Sequence, residues 1–510
     1  MRMAVLHSSV ILRCLARLLQ GSFVSLVLVA LAWALLQYNS RGMKRLPHGP
    51  TGLPLLGYIP FLGRKPYLTF TRLARRYGSV FSVQLGAKLL VVLNGRKAIR
   101  EAFVTKSRAF SGRPRWVLNR VNQGKGIANQ QANPTWREHR RFVLSVMRSI
   151  GEGRTQMENK VAEEVSHLIA EFSSHHGKAM DMTYPVQLAF SNVICSVCFG
   201  QRYQPNDPDF KRLLHMADVF FSHLTSASAA NFIPLLWYLP LPGHRAVQET
   251  YAGILDFVSA RVEEHKANLD PDSPRDLIDI YLIEIAKRRA ESPDLPTENG
   301  FTEDYVQHVV ADLFFGGTET VNAGVLWGFV CMVMYPDIQT RVQEELDEVV
   351  GQNRAPTMAD RAHLPYTQAT LQEINRRCNV IPCAIPHVTT EDVEMNGFIL
   401  PKGTTVTANL YSAHMDPVYW REPERFDPTR FLDETGTLIK GNDSYMPFSL
   451  GPRACLGEQL AKCEMFLTFT GILQKFRLEL PEGGAPPTLD GLPGITHAPR
   501  ATKIRPVPRD

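Results

Sequence analysis

Along the chain the spacing of hydrophobic positions changes character several times. Between Arg17 and Arg41 lie 23 residues without a formal charge, and Phe23 to Leu36 (FVSLVLVALAWALL) is apolar on every side. As a helix the run is ~34 Å long, enough to cross a hydrocarbon layer of ~30 Å. Trp33 and Tyr38 stand where interfacial aromatics belong, with Arg41, Lys44 and Arg45 just beyond. In Leu46–Gly57, prolines at 47, 50 and 54 and glycines at 49, 52 and 57 forbid a helix and predict a stiff extended linker. Strand-like runs at Val80–Leu85 and Leu89–Leu93 predict a hairpin. From about 134 to 350 the period is helical, broken by Pro/Gly loops at 204–208, 234–243 and 270–274. A second short-strand region spans 385–410, with turns at Asn396-Gly397 and Pro401-Lys402-Gly403. The chain therefore divides into an N-terminal membrane anchor (1–45), a linker (46–57) and one mainly helical α+β body with small β-sheets (58–510).

The anchor reading has rivals. A cleaved signal peptide would have a shorter apolar region and a small-residue cleavage site, and none is evident. A mitochondrial transit peptide is Arg-rich, acid-poor and amphipathic; residues 1–20 meet the first two criteria, but the long apolar run after them does not meet the third. Charge supports the anchor. Residues 1–50 hold six basic groups and no acid, and the first acid of the chain is Glu101. The rest balances at 50 Lys+Arg against 50 Asp+Glu, so the net charge of +6 belongs to the N-terminal end and signals no nucleic-acid partner. Three basic residues on either side of the run leave its orientation open. Eight scattered cysteines read as thiols of a reducing compartment, and Cys195-x-x-Cys198, in an apolar helical stretch, reads as core.

One helix is unusually long. Thr302 can cap it, Glu303 and Asp304 suit its first turn, and Pro336 ends it. At roughly 33 residues it is a rod of about 50 Å, apolar nearly all round, and so predicted to run through the core. Asp312, Glu319 and Asn322 argue against a second membrane span. Its middle reads Gly316-Gly317-Thr318-Glu319-Thr320. Two mid-helix glycines cost about 1 kcal/mol each. Either a neighbour packs closely there, or something large and flat lies on the backbone.

Near the C-terminus stands Phe448-Ser-Leu-Gly451-Pro-Arg453-Ala-Cys455-Leu-Gly457-Glu458, leading into an apolar-periodic helix. A cysteine at a helix N-terminus, two residues after an arginine, is placed to be a thiolate. Flanking glycines let backbone approach a ligand. This spacing arises by chance on the order of once per several million positions.

On these residues the chain resembles the cytochrome P450 superfamily of haem-thiolate monooxygenases. The resemblance assigns Cys455 to the iron of haem b, with Phe448, Gly451 and Gly457 shaping the loop around it. It places Thr320 and Glu319 on the oxygen-activating helix as a proton relay, and Trp136, Arg140, His387 and Arg453 at the haem propionates. It also makes Glu373-Ile-Asn-Arg376 and the Arg425 of Pro423-Glu-Arg425-Phe426 a buried Glu–Arg–Arg cluster. Phe110-Ser-Gly-Arg-Pro114 and Trp136-Arg-x-x-Arg-Arg-Phe142 are similar to the animal microsomal family two. Segments such as Leu364-Pro-Tyr-Thr-Gln-Ala-Thr370 and Asp279-Ile-Tyr-Leu282 resemble its long-chain fatty-acid hydroxylase branch.

That resemblance implies NADPH–cytochrome P450 reductase as electron donor, with cytochrome b5 as an accessory one. Arg137, Arg141 and Lys462 would then be basic docking residues. It also implies an endoplasmic-reticulum anchor with the body in the cytosol, the mitochondrion being the lesser address. Phe220, Phe221, Phe314 and Phe315 would be either pocket lining or core. The alternatives are a steroid or xenobiotic hydroxylase and, from another class, a peroxide-using haem-thiolate isomerase or haem-binding sensor. A proton relay at Glu319 and Thr320 speaks against the isomerase, whose chemistry has no use for one.

Overall fold

The expected hairpin is present: β1 (Val80–Leu85) pairs antiparallel with β2 (Lys88–Asn94), Val80 opposite Leu93. The structure is a computed structural model and describes residues 46–149, 154–227, 229–233, 236, 238–239, 241–291, 301–439 and 441–509. The anchor expected over 1–45 lies outside these residues. Among the described residues no single helix is long and apolar enough to cross a membrane.

Ahead of the hairpin lies α1 (Pro66–Tyr77). The helical body comprises α2 (Pro134–Ser149), α3 (Arg154–Ser174), α4 (Thr183–Cys198), α5 (Pro208–Ala227), α6 (Pro242–Ala267), α7 (Leu277–Glu291), α8 (Glu303–Met334), α9 (Pro336–Val349) and α10 (Pro365–Cys378); α11 (Glu458–Lys475) closes it. Between α3 and α4 lies β3 (Met180–Asp181). After α10 come β4 (His387–Val388), β5 (Val393–Met395), β6 (Phe398–Leu400) and β7 (Thr405–Asn409), and after α11 come β8 (Phe476–Glu479) and β9 (Lys503–Pro508). The largest sheet runs β1-β2-β7-β4, with β7 parallel to β2 although more than 300 residues separate them. The other sheets are β3-β9-β8 and β5-β6.

Residues 46–52 form no helix, as their prolines require, but the linker is not extended to its end: Pro54–Leu56 turn the chain so that Leu53 and Gly57 exchange backbone hydrogen bonds (2.9 and 2.7 Å), and the segment is fastened to the body. Ser82 donates its backbone N–H to His48 O (3.2 Å) and its hydroxyl to Pro47 O (2.6 Å). A Cβ at Gly49 would sit 1.6 Å from Ser82 O, so only glycine permits this approach.

The rod is α8. Thr302 caps it by accepting the Tyr305 N–H, and Val309, Val310, Phe314, Val325 and Phe329 are buried in the main core with α3, α4, α6 and α11 around them. Cys195 and Cys198 are buried in that core, as expected of structural thiols. Phe220, Phe314 and Phe315 belong to it too: Phe220 of α5 stacks on Phe315 with ring centres 4.2 Å apart.

Candidate active site

The two mid-helix glycines of α8 have different reasons. A Cβ at Gly317 would meet Ile194 Cδ1 at 2.3 Å, so this glycine lets α4 pack against α8. A Cβ at Gly316 would meet nothing within 4 Å, which marks an open side on an otherwise buried helix. Thr320, one turn on, shares that side and donates its hydroxyl to Gly316 O (2.7 Å). Glu319 carries no hydrogen bond or ion pair among the described residues. Burial, helped by the charge of Asp218, pushes its carboxyl up to about 7.

Cys455 stands between a 3-10 turn (Gly451–Arg453) and the start of α11. Its N–H donates to Phe448 O (2.9 Å), closing the loop. Its side chain remains accessible, yet burial raises the thiol pKa, so the residue faces an interior recess. The Gly457 N–H directed at it and the charge of Arg140 act in the opposite direction and favour thiolate. Gly451 has a reason other than ligand approach: at φ +76° its missing Cβ leaves room for Phe103 O, 1.8 Å from where that Cβ would stand. Gly457 N-caps α11, and no atom lies within 4 Å of where its Cβ would be. Lys462 is ion-paired with Glu458 and lies over Phe448, 5.5 Å from its ring centre.

The electrostatics of the neighbouring wall are unusual. Arg453 is buried and donates to Ser111 O, Ile127 O and Gln130 O, with its guanidinium 3.7 Å above the Trp136 ring. Trp136 is anchored by its indole N–H on Ile127 O (3.0 Å), and its helix α2 starts with Asn133 capping the Trp136 N–H. Arg140, one turn along α2, donates to Ala454 O. Arg113, buried, donates to Ala128 O, Ile385 O and Pro386 O. None of these three arginines has a carboxylate partner among the described residues. Burial and mutual repulsion push Arg113 down to about 9 and Arg453 to about 8. His387, stacked on Phe103 (4.1 Å), shares a hydrogen bond with Phe110 O through Nδ1 (2.6 Å); burial and the charges of Arg113 and Arg453 hold it well below its usual pKa. Two buried cations and a half-buried third, without an anion among the described residues, are costly in isolation. Beside an accessible cysteine, they suit a flat dianion with a metal at its centre. The donor set therefore fits haem.

A scan against family models matches residues 47–505 to the cytochrome P450 family. The chain belongs to the cytochrome P450 family. It is 36% identical to cytochrome P450 2U1 of Homo sapiens over 512 residues, covering 95% of this chain and 93% of the relative. It is 40% identical to cytochrome P450 2B4 of Oryctolagus cuniculus (95% and 99%), and 37% identical to cytochrome P450 18a1 of Drosophila melanogaster (91% and 87%). The resemblance to an animal microsomal family-two P450 and the assignment as a monooxygenase stand. The family is haem-thiolate, with iron held by cysteine.

One sequence assignment needs correcting. Arg425 does not complete the Glu–Arg–Arg cluster: its side chain is 67% exposed and, among the described residues, its one ion-pair contact is with Glu422 (3.7 Å). Glu373 instead binds Arg376 through both oxygens (2.7 and 2.8 Å) and Arg430 Nε (3.1 Å). Asp427 caps the 3-10 turn Pro428–Phe431, and that turn brings the chain, five residues after Arg425, back onto α10. Arg113 was also missed as a site residue. Its signal was a lone charge in the small, apolar string Phe110-Ser-Gly-Arg-Pro114.

Proposed function

We propose that this P450 is anchored by residues 1–45 in the endoplasmic-reticulum membrane and hydroxylates long-chain fatty acids with electrons from NADPH–cytochrome P450 reductase. What carries the site assignment is the wall of three arginines beside Cys455, two buried and one half-buried, with no carboxylate partner among the described residues. Haem, when bound, would supply the activation of dioxygen, with a thiolate donating electron density to it. Cys455 would hold the iron. Arg113, Arg140 and Arg453 would take the two propionates, Trp136 would hold Arg453 in place, and His387 would stand at their edge. Phe448 and the glycine-shaped loop would shield the sulfur.

The remaining work falls to α8. Glu319 holds a proton near neutral pH, and Thr320 presents a hydroxyl on the open side of the helix, so the pair can hand protons inward while the packed helices exclude bulk water. Product formation is therefore expected to decline as pH rises through about 7, where Glu319 loses its proton. Glu319→Gln should remove that limb, and a pH profile of the rate checks it.

The fatty-acid reading rests on the branch-like segments, and the relative similarity supports the family rather than the substrate. Product analysis with reductase, NADPH and a mixed fatty-acid and steroid panel tests it. A hydroxy fatty acid near the chain end is expected. A steroid product would overturn the substrate, and rapid hydroperoxide turnover without any NADPH-dependent product would overturn the monooxygenase cycle. For the cradle, Arg113→Leu should weaken haem retention by about 2 kcal/mol, roughly 30-fold, read as the rate of haem loss to an excess acceptor globin.

A further inference from the structure

Asp312 is an acid in the apolar rod α8 that the chemistry above leaves unused. It stands four residues before Gly316 and eight before Thr320, on the same side of the helix. Its Oδ2 accepts two backbone N–H groups of the segment ahead of α2, from Ile127 (2.6 Å) and Ala128 (2.9 Å). Gly126 makes room for this approach: at φ +81° it has no Cβ, and one placed there would lie 2.3 Å from Asp312 Oδ2. The Ala128 N–H belongs to the same peptide unit as the Ile127 carbonyl. That carbonyl, on the opposite edge of the unit, accepts the Trp136 indole N–H (3.0 Å) and Arg453 Nη1 (3.3 Å). A carboxylate, one peptide unit and a guanidinium therefore stand in a hydrogen-bonded row. Tyr305, two turns earlier on α8, adds a second tie: its hydroxyl accepts Gln130 Nε2 (2.7 Å), while Gln130 O accepts Arg453 Nη2 (2.6 Å).

We propose that Asp312 is a positioning residue of the haem cradle: through the Ile127–Ala128 peptide unit it fixes the carbonyl that holds Trp136 and Arg453, and it supplies the negative charge that Arg453 lacks as a direct partner. The inference rests on the reading above that Arg113, Arg140 and Arg453 take the propionates, and it deepens that reading by naming what holds Arg453 in place. Hydrogen bonds in a row polarise one another, so an anion at the N–H end makes the carbonyl a stronger acceptor for a cation. The row also accounts for how Arg453 stays buried with no carboxylate against it. Burial pushes the Asp312 carboxyl up to about 6 against the pull of its two N–H donors, so the carboxylate form prevails at neutral pH.

Two variants separate the tie from the charge. Asp312→Asn keeps an oxygen for both N–H groups and removes the charge; Asp312→Ala removes both. The holoprotein is read in three ways that need no turnover: the rate of haem loss to an excess acceptor globin, the resonance Raman propionate modes of the ferric form, and the midpoint reduction potential. Asp312→Ala should lose haem about tenfold faster, with shifted propionate modes, and Asp312→Asn should restore retention to within about twofold of wild type. The potential of Asp312→Asn should move to more positive values, because reduction adds an electron that a nearby anion opposes. In an Arg453→Gln background Asp312→Ala should add less than about twofold, since it acts through that arginine. Wild-type retention in Asp312→Ala, an asparagine no better than alanine, or the full tenfold loss persisting without Arg453 overturns the positioning role. An unmoved potential in Asp312→Asn overturns the charge role, and this comparison decides even where Asp312→Ala yields no holoprotein. Wild-type haem loss and propionate modes in Arg453→Gln itself overturn the cradle reading instead.

Discussion

Replacing Cys455 with serine should abolish the thiolate-type Soret band of the reduced, carbon monoxide-bound protein and reduce NADPH-dependent product to background. The side chain is accessible, so the substitution leaves the loop intact. The Cys455 N–H to Phe448 O bond and the 3-10 turn before it are backbone features that serine preserves. What changes is the ligand. A serine hydroxyl does not ionise near neutral pH, and the Gly457 N–H and the Arg140 charge that favour a thiolate cannot make it an alkoxide. Circular dichroism should therefore show a folded protein. Persistence of the thiolate band in Cys455→Ser would exclude Cys455 as the residue that holds the iron.

The second large effect separates Arg430 from Arg425. Removing Arg430 leaves Glu373, fully buried, with one of its two cations gone; breaking a buried ion pair in this way costs about 3–5 kcal/mol. Little folded holoprotein should accumulate for Arg430→Ala, measured as the carbon monoxide difference signal per total protein. Arg425→Ala removes an exposed group with a 3.7 Å contact and should stay within about 0.5 kcal/mol of wild type in denaturant midpoint. The reverse ranking would return the cluster to Arg425. The backbone explains why Arg430 cannot be spared: Arg376 also donates to His414 O and Pro423 O, so the cluster ties α10 to the loop that runs toward Cys455.

Much of this was legible without coordinates. The β1–β2 hairpin, the rod α8 with its Thr302 cap, the buried Cys195 and Cys198, and the cysteine loop before α11 follow from local periodicity, capping and spacing. These are properties of neighbouring residues, and a few residues of sequence carry them. The site's cations were only partly legible. Trp136, Arg140, His387 and Arg453 were placed by resemblance, and the structure gathers Trp136, Arg140 and Arg453 with Arg113 on one wall. Arg113 stayed hidden because its isolation from every acid is a fact about distant chain segments, with Ala128 on one side and Ile385 and Pro386 on the other.

What the chain determined by itself is therefore the family, the helical body, the cysteine loop before α11 and the basic, acid-free end that precedes the linker. Only the tertiary structure decided which arginine meets Glu373, because a capped 3-10 turn, not sequence proximity, sets the return of the chain to α10. It alone divided the two glycines, Gly317 to the α4 contact and Gly316 to the open side. In each case the deciding quantity is which way a side chain or helix face points once dozens of residues of intervening chain have packed, and no local pattern encodes that direction.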